Sequence, residues 1–438
     1  MDVLVIGSGG REYELARQMS LSTNVRKVYI APGNAGTAVL DKGENVAIGP
    51  TDVDAIVAFA AEKQIGFTVI GPDAAVAAGV GNALRAAGAL IFGPTKEAGK
   101  LEASKAFAAD FMNRHRIPQP KSQVVRALDE ALAAIQDRAP ESYVLKADGL
   151  AAGKGVVLPQ TVEEAQAVLE DMLLGRGFDG AGKSGVVIQE RLHGPEVSAF
   201  AITDGKDFVL LPLSQDHKRL RDGDQGPNTG GMGVYAPVPA SIANEKQLEK
   251  IRAIAKQTID GMAQESTPYE GVLYIGLMLA QERGGEPVVI EYNARFGDPE
   301  AEILLPALSE SGVDVAGMLL QTAQGNLSQV TTPENLKTSV LTVALAAAGY
   351  PEAPRKGDEI FGLDKQYDGV IVQHAGTKRD GDTWLANGGR VLYVTGFGKN
   401  IMEAAARVYA AIGEQGIHFA GMQYRSDIGY QARKTDLS

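Results

Sequence analysis

The sequence predicts an α/β layer over residues 1–104, an α+β region over 105–330 and a β-rich module over 331–438. Short β-branched runs alternate with helix-period stretches up to Phe92, strands and glycine loops dominate from Tyr143, and after Thr331-Thr332-Pro333 a last group of strands ends in one helix. Alternation of strand and helix is the pattern of a parallel sheet covered on both faces, whereas strands joined by glycine turns read as antiparallel. With 438 residues and 45% hydrophobic content, the chain is long enough for two or three cores.

In the first layer, strands are expected at Val3 to Ile6, Lys27 to Ala31, Phe67 to Ile70 and Leu90 to Phe92. Val53, Ile56, Val57 and Ala60 carry the i, i+3, i+4, i+7 spacing of a helix with one buried face. Ser104 to His115 repeats that periodicity, and Ile117-Pro118-Gln119-Pro120 ends it, because proline lacks the amide donor and restricts its predecessor. A domain boundary is expected there. The middle unit should hold strands at Tyr143 to Lys146, Val156 to Leu158, Gly185 to Gln189, Val197 to Ile202 and Phe208 to Leu213. A helix from Glu245 to Gly261 and two apolar strands, Gly271 to Ala280 and Pro287 to Tyr292, complete it. The last module should contain strands at Ser339 to Ala347, Val370 to His374 and Arg390 to Thr395, then a helix from Asn400 to Glu414.

Composition removes several function classes. The absence of cysteine excludes disulfides, thiolate zinc sites, cysteine-ligated iron–sulfur clusters and cysteine nucleophiles, so any metal must use oxygen or imidazole ligands. A formal charge of −12 argues against a nucleic-acid binder, whose affinity comes from lysine and arginine at phosphates. Met1-Asp2 runs into a short apolar stretch without the pattern of a secretory leader, and no run approaches the ~18 apolar residues of a membrane span. A cytoplasmic location is expected.

Six motifs carry candidate chemistry. Gly7-Ser8-Gly9-Gly10-Arg11-Glu12 joins a strand to a helix, where backbone amides can hold a phosphate, with Pro32-Gly33-Asn34 approaching from the next strand end. It lacks the third glycine and the ribose-binding acid of a dinucleotide fold, and a plain packing turn stays open. Lys146 to Val156 is a small-residue loop with lysines between two strands, suited to a polyphosphate or simply a hairpin with solvated lysines. Glu190 and Glu196 flank a strand-to-strand turn, able to border a nucleotide or to remain surface charges. Glu291 and Asn293 stand at i and i+2 of a strand, so their oxygens share a face where a cation bridging phosphates can sit. Arg295 follows, a fork for a carboxylate, while Ser214 to Arg219 and Asn228 to Gly233 supply charge and exposed amides for phosphoryl transfer.

In this order the motifs resemble those of the ATP-grasp ligases, and over essentially the whole chain the sequence is similar to the phosphoribosylamine–glycine ligase (glycinamide ribonucleotide synthetase) family. Gly7 to Glu12, Lys146 to Val156, Ser214 to Arg219, Asn228 to Gly233, Glu291 to Glu300, His374 to Thr377 and Asn387 to Arg390 carry the likeness. The resemblance implies an ATP-grasp fold with an N-terminal parallel α/β (pre-ATP-grasp) domain, a lid over residues 122–192 and a C-terminal β-rich module. It implies an ATP-dependent ligase of purine biosynthesis joining glycine to 5-phosphoribosylamine through glycyl phosphate, with Mg2+ or Mn2+ as metal, acting as a monomer or alternatively a dimer. By position, Lys105, Lys146, Gly153 and Lys154 would meet the phosphates, Glu190 and Leu192 the adenine edge, and Glu196 the ribose. Glu291 and Asn293 would hold the metal. Asp216, Lys218 and Arg295 form the implied catalytic set. Gly9, Gly10, Arg11, Glu12, Asn34, Asp216, Arg295, Gly297 and Asp298 are the implied substrate contacts, with Arg295 for glycine's carboxylate. The chain departs from the family pattern at Tyr13, Ala294 and Glu302, where histidine, valine and glutamine are usual, and Val272 to Leu279 carries no acid for a second metal. Another ATP-grasp ligase, an NAD-dependent oxidoreductase using the first loop, and a nucleotide-binding module without turnover are the rival readings.

Overall fold

The computed structural model describes residues 1–151, 155–176, 178–333 and 336–435. The chain opens with β1 (Asp2–Gly7), α1 (Gly10–Leu21), β2 (Lys27–Pro32), β3 (Gly43–Asn45), α2 (Val53–Glu62), β4 (Phe67–Ile70), α3 (Asp73–Ala78), α4 (Val80–Ala86) and β5 (Ile91–Phe92). These strands form one parallel sheet in the order β3-β2-β1-β4-β5. Strand period splits β1 between two cores: Leu4 and Ile6 pack with Ile56 and Val76, while Val3 and Val5 pack with Leu15 and Met19. Both faces are covered, which is why β1 reads as a continuous apolar run. The three-residue β3 escaped the sequence reading because Gly-Glu-Asn has no strand periodicity of its own.

Next come α5 (Lys100–Ala103) and α6 (Lys105–Arg114), the latter capped by the Ser104 hydroxyl accepting from the Phe107 amide. A small unit follows: β6 (Ser122–Val125), α7 (Leu128–Ile135), β7 (Tyr143–Ala147), β8 (Val156–Val157), α8 (Val162–Leu174) and β9 (Val186–Glu190), with sheet order β6-β9-β7-β8. Its core, from Val125 to Ile188, draws on no residue outside the unit.

The larger sheet, order β11-β10-β16-β17, is built from β10 (Glu196–Asp204) and β11 (Phe208–Leu210) with two strands reached later in the chain. Between them run β12 (Gln215–Asp216), β13 (Arg219–Arg221), β14 (Gln225–Asn228), β15 (Gly233–Ala236) and the twenty-residue α9 (Glu245–Gln264), which starts with an Asn244/Gln247 capping box. Then come β16 (Glu270–Ala280) and β17 (Glu286–Asn293). All pairings in this region are antiparallel, as expected from the glycine-rich turns. Helices α10 (Ala301–Glu310) and α11 (Val315–Ala323) follow as buried core helices. No single helix among the described residues is long and apolar enough to cross a membrane.

The last module contains β18 (Ser339–Ala346), β19 (Val370–His374), the hairpin β20 (Thr377–Asp380) and β21 (Thr383–Ala386), β22 (Arg390–Gly398), α12 (Ile401–Ala411) and α13 (Tyr430–Thr435). Its sheet, order β12-β15-β18-β22-β19, takes β12 and β15 from the sequence before residue 331. That exchange places the segment from Ser214 to Gly233 between the β11-β10-β16-β17 sheet and the C-terminal module.

Candidate active site

Two clefts lie on either side of the Asp298 loop. The first is bounded by β7 of the small unit and by β10, β12, β16 and β17. At β17 a bulge pairs Gly276 with Glu291 and Leu277 with Val289, which leaves Ile290 out of step. The Ile290 carbonyl then accepts from Lys146 Nζ at 2.7 Å, fastening β7 across to β17. Lys146 is only 8% exposed, and burial lowers its pKa to about 8 against the attraction of Glu291. Lys105, at the start of α6, donates to the Gly149 carbonyl at 2.9 Å, while Asp148 accepts from the Ser104 hydroxyl and the Ala106 amide. One acid thus docks the α6 N-terminus against the loop that follows β7.

Lys218 Nζ lies 3.3 Å from Asp216 and 3.9 Å from Glu291. Desolvation works against the charge on Lys218, but Tyr274, Asp216, Glu291 and Glu196 outweigh it and hold its pKa well above the ordinary lysine value. Desolvation likewise opposes the Glu291 carboxylate, and Lys218, Lys146 and Lys105 overcome it, leaving the pKa below the usual range. Glu196, Asp216, Lys218 and Glu291 therefore line one depression with Ser198 and Tyr274. Glu300, buried beneath it, accepts from Ser198 Oγ at 3.0 Å, and burial beside Asp216 pushes its pKa up to about 7.

The expected base and metal residues take distinct places. Leu192 packs with Met278, Ala280 and Val288 in a small apolar cluster, with Ile290 against it. The Glu190 carboxylate accepts from the Lys121 amide and from Arg283, so its side chain braces the turn. Glu291 and Asn293 share a face, and the Asn293 amide donates to the Tyr292 carbonyl at 2.8 Å, leaving its oxygen directed elsewhere. A carboxylate and an amide oxygen suit a hard divalent cation that completes its shell with phosphate and water. No group of three or more acidic or imidazole ligands occurs among the described residues. Gly153 and Lys154 lie outside those residues.

The second cleft, of about 480 Å3, is lined by Gly9, Gly10 and Asn34 from the first sheet, Thr229 and Gly230, Asp298, and Gly376, Gly388, Arg390 and Tyr393 from the C-terminal module. Arg390 is ion-paired to Asp298 at 3.2 Å and also donates to the Asp298 and Gly231 carbonyls. Tyr393 donates its hydroxyl to Asp298. Burial disfavours the Asp298 carboxylate, but Arg390 and Arg11 hold its pKa below the usual range.

Several expected contacts do not face this cleft. Arg11 is 8% and Glu12 2% exposed; Arg11 Nε pairs with Glu12 at 2.5 Å, and the other Glu12 oxygen accepts from the Gly9 amide. This pair shapes the glycine turn from behind. Arg295 is likewise engaged, bonded to Glu102 at 3.0 Å, with its Nε buried and unpartnered. Gly297 packs against the Glu300 carboxylate. Among the departures from the family pattern, Tyr13 packs against His374 with ring centroids 5.6 Å apart, and Ala294 donates its amide to Glu102.

The sequence reading missed Glu102 and the roles of Asp148 and Glu300. Glu102 belongs to no recognisable pattern, while Asp148 and Glu300 stood inside the motifs Lys146 to Val156 and Glu291 to Glu300 without an assigned task. Arg390 and the glycines before it were part of the resemblance, but nothing local tied them to Asp298, 92 positions earlier.

Models of the phosphoribosylglycinamide synthetase N domain, ATP-grasp (A) domain and C domain match residues 1–102, 103–301 and 340–431. The chain is 45% identical over 433 residues to a phosphoribosylamine–glycine ligase of Vibrio cholerae, covering 99% of this chain and 98% of that protein. Its identity to the ligase so named from Haemophilus influenzae is 44%, covering the whole of both. The crystal structure of phosphoribosylamine–glycine ligase from Thermotoga maritima superposes with a TM-score of 0.83 at 34% identity, covering 98% of this chain and all of that one. A biotin carboxylase domain of 2-oxoglutarate carboxylase from Hydrogenobacter thermophilus shares the fold, with a TM-score of 0.73 at 15% identity, 96% of this chain and 91% of that one being covered. Three domain matches in order, full-length identity to the ligases and a common ATP-grasp architecture agree, and the chain belongs to the phosphoribosylglycinamide synthetase family.

Proposed function

We infer that the chain ligates glycine to 5-phosphoribosylamine at the expense of ATP, giving glycinamide ribonucleotide, ADP and phosphate in purine biosynthesis. The observation that carries the reading is the meeting of Lys146, Lys218, Asp216 and Glu291 between a small unit with its own core and the β16–β17 sheet.

A carboxylate is a poor electrophile because its leaving group would be oxide. Attack of the glycine carboxylate on the γ-phosphorus, with ADP leaving, gives glycyl phosphate. Attack of the phosphoribosylamine nitrogen on the acyl carbon then expels inorganic phosphate and releases a proton. Lys146, Lys105 and Lys218 offset charge on the transferring phosphoryl group, which passes through a transition state that positioned cations stabilise. Glu291 and Asn293 would hold a divalent cation, Mg2+ or Mn2+, and when bound it supplies charge neutralisation and orientation of the phosphate oxygens. The apolar cluster around Leu192 borders the adenine, and Glu196 takes the ribose. Arg295, oriented by Glu102, takes glycine's carboxylate. The Gly9, Asn34 and Asp298 cleft takes the ribose phosphate. The small unit over 122–192 acts as the lid that excludes water from glycyl phosphate. The enzyme works as a cytoplasmic monomer under this reading.

A coupled assay of ADP release, omitting glycine and freshly made phosphoribosylamine in turn, tests the reading. Turnover that needs both substrates is expected. Activity with a different acid and none with glycine would replace this reading with that of another ATP-grasp ligase.

A further inference from the structure

We propose that His217 is a positioning residue for Asp216 and Lys218, held from its far side by the C-terminal segment Arg425 to Gln431, so that the end of the chain sets the geometry of the phosphoryl-transfer cleft. The inference rests on the ligase reading above.

Successive side chains of an extended segment alternate in direction. Asp216 and Lys218 meet each other in the cleft, and His217 between them points the other way, where it is almost wholly buried. Its backbone is pinned on both sides, the amide donating to the Gly233 carbonyl at 2.9 Å and the carbonyl accepting from the Met232 amide at 2.8 Å. Its ring meets the last part of the chain: Nε2 is 2.9 Å from the Gln431 side-chain oxygen and 3.2 Å from the Gly429 amide, and Tyr430 packs edge-on at 5.9 Å.

The C-terminal segment is itself anchored to the loop just beyond Lys218. The Arg425 side chain has no solvent exposure; it pairs with Asp224 and Asp427 at 2.7 Å each and donates to the Arg219 carbonyl. Asp427 accepts from the Gly223 amide, Asp222 from the Ser426 amide, and Asp224 from the Tyr430 hydroxyl. Ile428 is fully buried against Gly233. Residues 219–224 are thus clamped to a segment about 200 positions away, and the Asp216–Lys218 pair lies at the head of that clamp. A buried arginine with two carboxylates costs much to break, which makes the clamp stiff rather than adaptable.

A displacement of about 1 Å at a reacting group can cost on the order of a hundredfold in rate, so a looser clamp should act on turnover rather than on nucleotide affinity. In full-length protein, Gln431→Leu and His217→Leu should lower kcat on the order of tenfold or more, with KM for ATP little changed. His217→Gln, which keeps a polar group near the Nε2 position, should recover most of the rate. The Gln431→Leu effect should shrink in a Lys218→Met background, because the part that acts through the placement of the lysine is then already lost. Variants with wild-type kcat, or a Gln431→Leu loss that persists undiminished without Lys218, would overturn the proposal. His217→Leu tests the ring contact directly, and Gln431→Leu, at a half-buried position, keeps the test valid if that variant does not fold. Wild-type protein lacking glycine-dependent ADP release would instead sink the ligase reading and this inference with it.

Discussion

Glu302 stands where the family usually carries glutamine, and its surroundings give it a measurable cost. The side chain is wholly buried, and among the described residues neither carboxyl oxygen has a side-chain hydrogen-bond partner. The nearest cations are committed, Arg11 to Glu12 and Arg390 to Asp298, so the cluster is electrically balanced with Glu302 protonated. Desolvation, reinforced by the Asp298 charge, raises its pKa well above the ordinary 4.5. For a carboxyl raised in the folded state, stability is complete below the unfolded pKa and erodes as pH rises, because the unfolded chain releases a proton that the folded chain retains. The erosion amounts to about 1.4 kcal/mol per pH unit between the unfolded and folded values. Glu302→Gln removes the ionisable group while keeping the shape. The two proteins should therefore be close in stability near the ordinary carboxyl pKa, and the variant's advantage should widen by ~1.4 kcal/mol for each unit above it until the raised folded-state pKa is reached. Urea unfolding followed by the fluorescence of Trp384, the sole tryptophan, at pH 5, 6, 7 and 8 measures this directly. A stability difference independent of pH, or a variant less stable at neutral pH, would refute the assignment of a neutral buried acid.

Other substitutions test the two clefts. Glu291→Ala should reduce ADP release by on the order of a hundredfold or more without lowering the unfolding midpoint, and near-normal turnover at saturating magnesium would remove Glu291 from the metal site. Because Lys146 is charged below a pKa of about 8 and neutral above it, ATP binding should weaken as pH rises through that value; calorimetric titration should find this inflection absent in Lys146→Met. Gly10→Ala would put a methyl group 2.3 Å from the Tyr393 ring and 2.5 Å from Glu302, forcing the cleft floor apart by overpacking worth about 1–3 kcal/mol. It should raise KM for phosphoribosylamine and leave KM for ATP unchanged. Glu102→Gln frees Arg295 from its ion pair and should change KM for glycine more than that for either other substrate.

The strands, the long helices and the first glycine turn were legible because their signals are local: β1 is a run of apolar residues, α6 has a serine cap and α9 an asparagine–glutamine box. Motif order led to the expectation that Lys146 meets the phosphates and Glu291 the metal; the bond from Lys146 to the Ile290 carbonyl, next to Glu291, is carried by no local signal of the lysine itself. What escaped were pairings whose partners are far apart in sequence and buried only by the completed fold. Arg11, Arg295 and Arg390 look alike in the sequence as cations beside glycine turns, yet each is satisfied by a different acid: Glu12 one position away, Glu102 on a preceding helix and Asp298 across a domain junction. A buried charge must find such a partner, because its desolvation is otherwise uncompensated. That requirement is fixed by the sequence, but the partner is chosen by topology. The sheet β12-β15-β18-β22-β19 makes the choice here, since it carries Arg390 on a C-terminal strand to the loop that follows β17. A middle domain ending at 330 leaves out that one sheet joins β12 and β15 to the C-terminal strands, so Arg390 and the glycines before it were named through the resemblance without Tyr393 and without their partner Asp298.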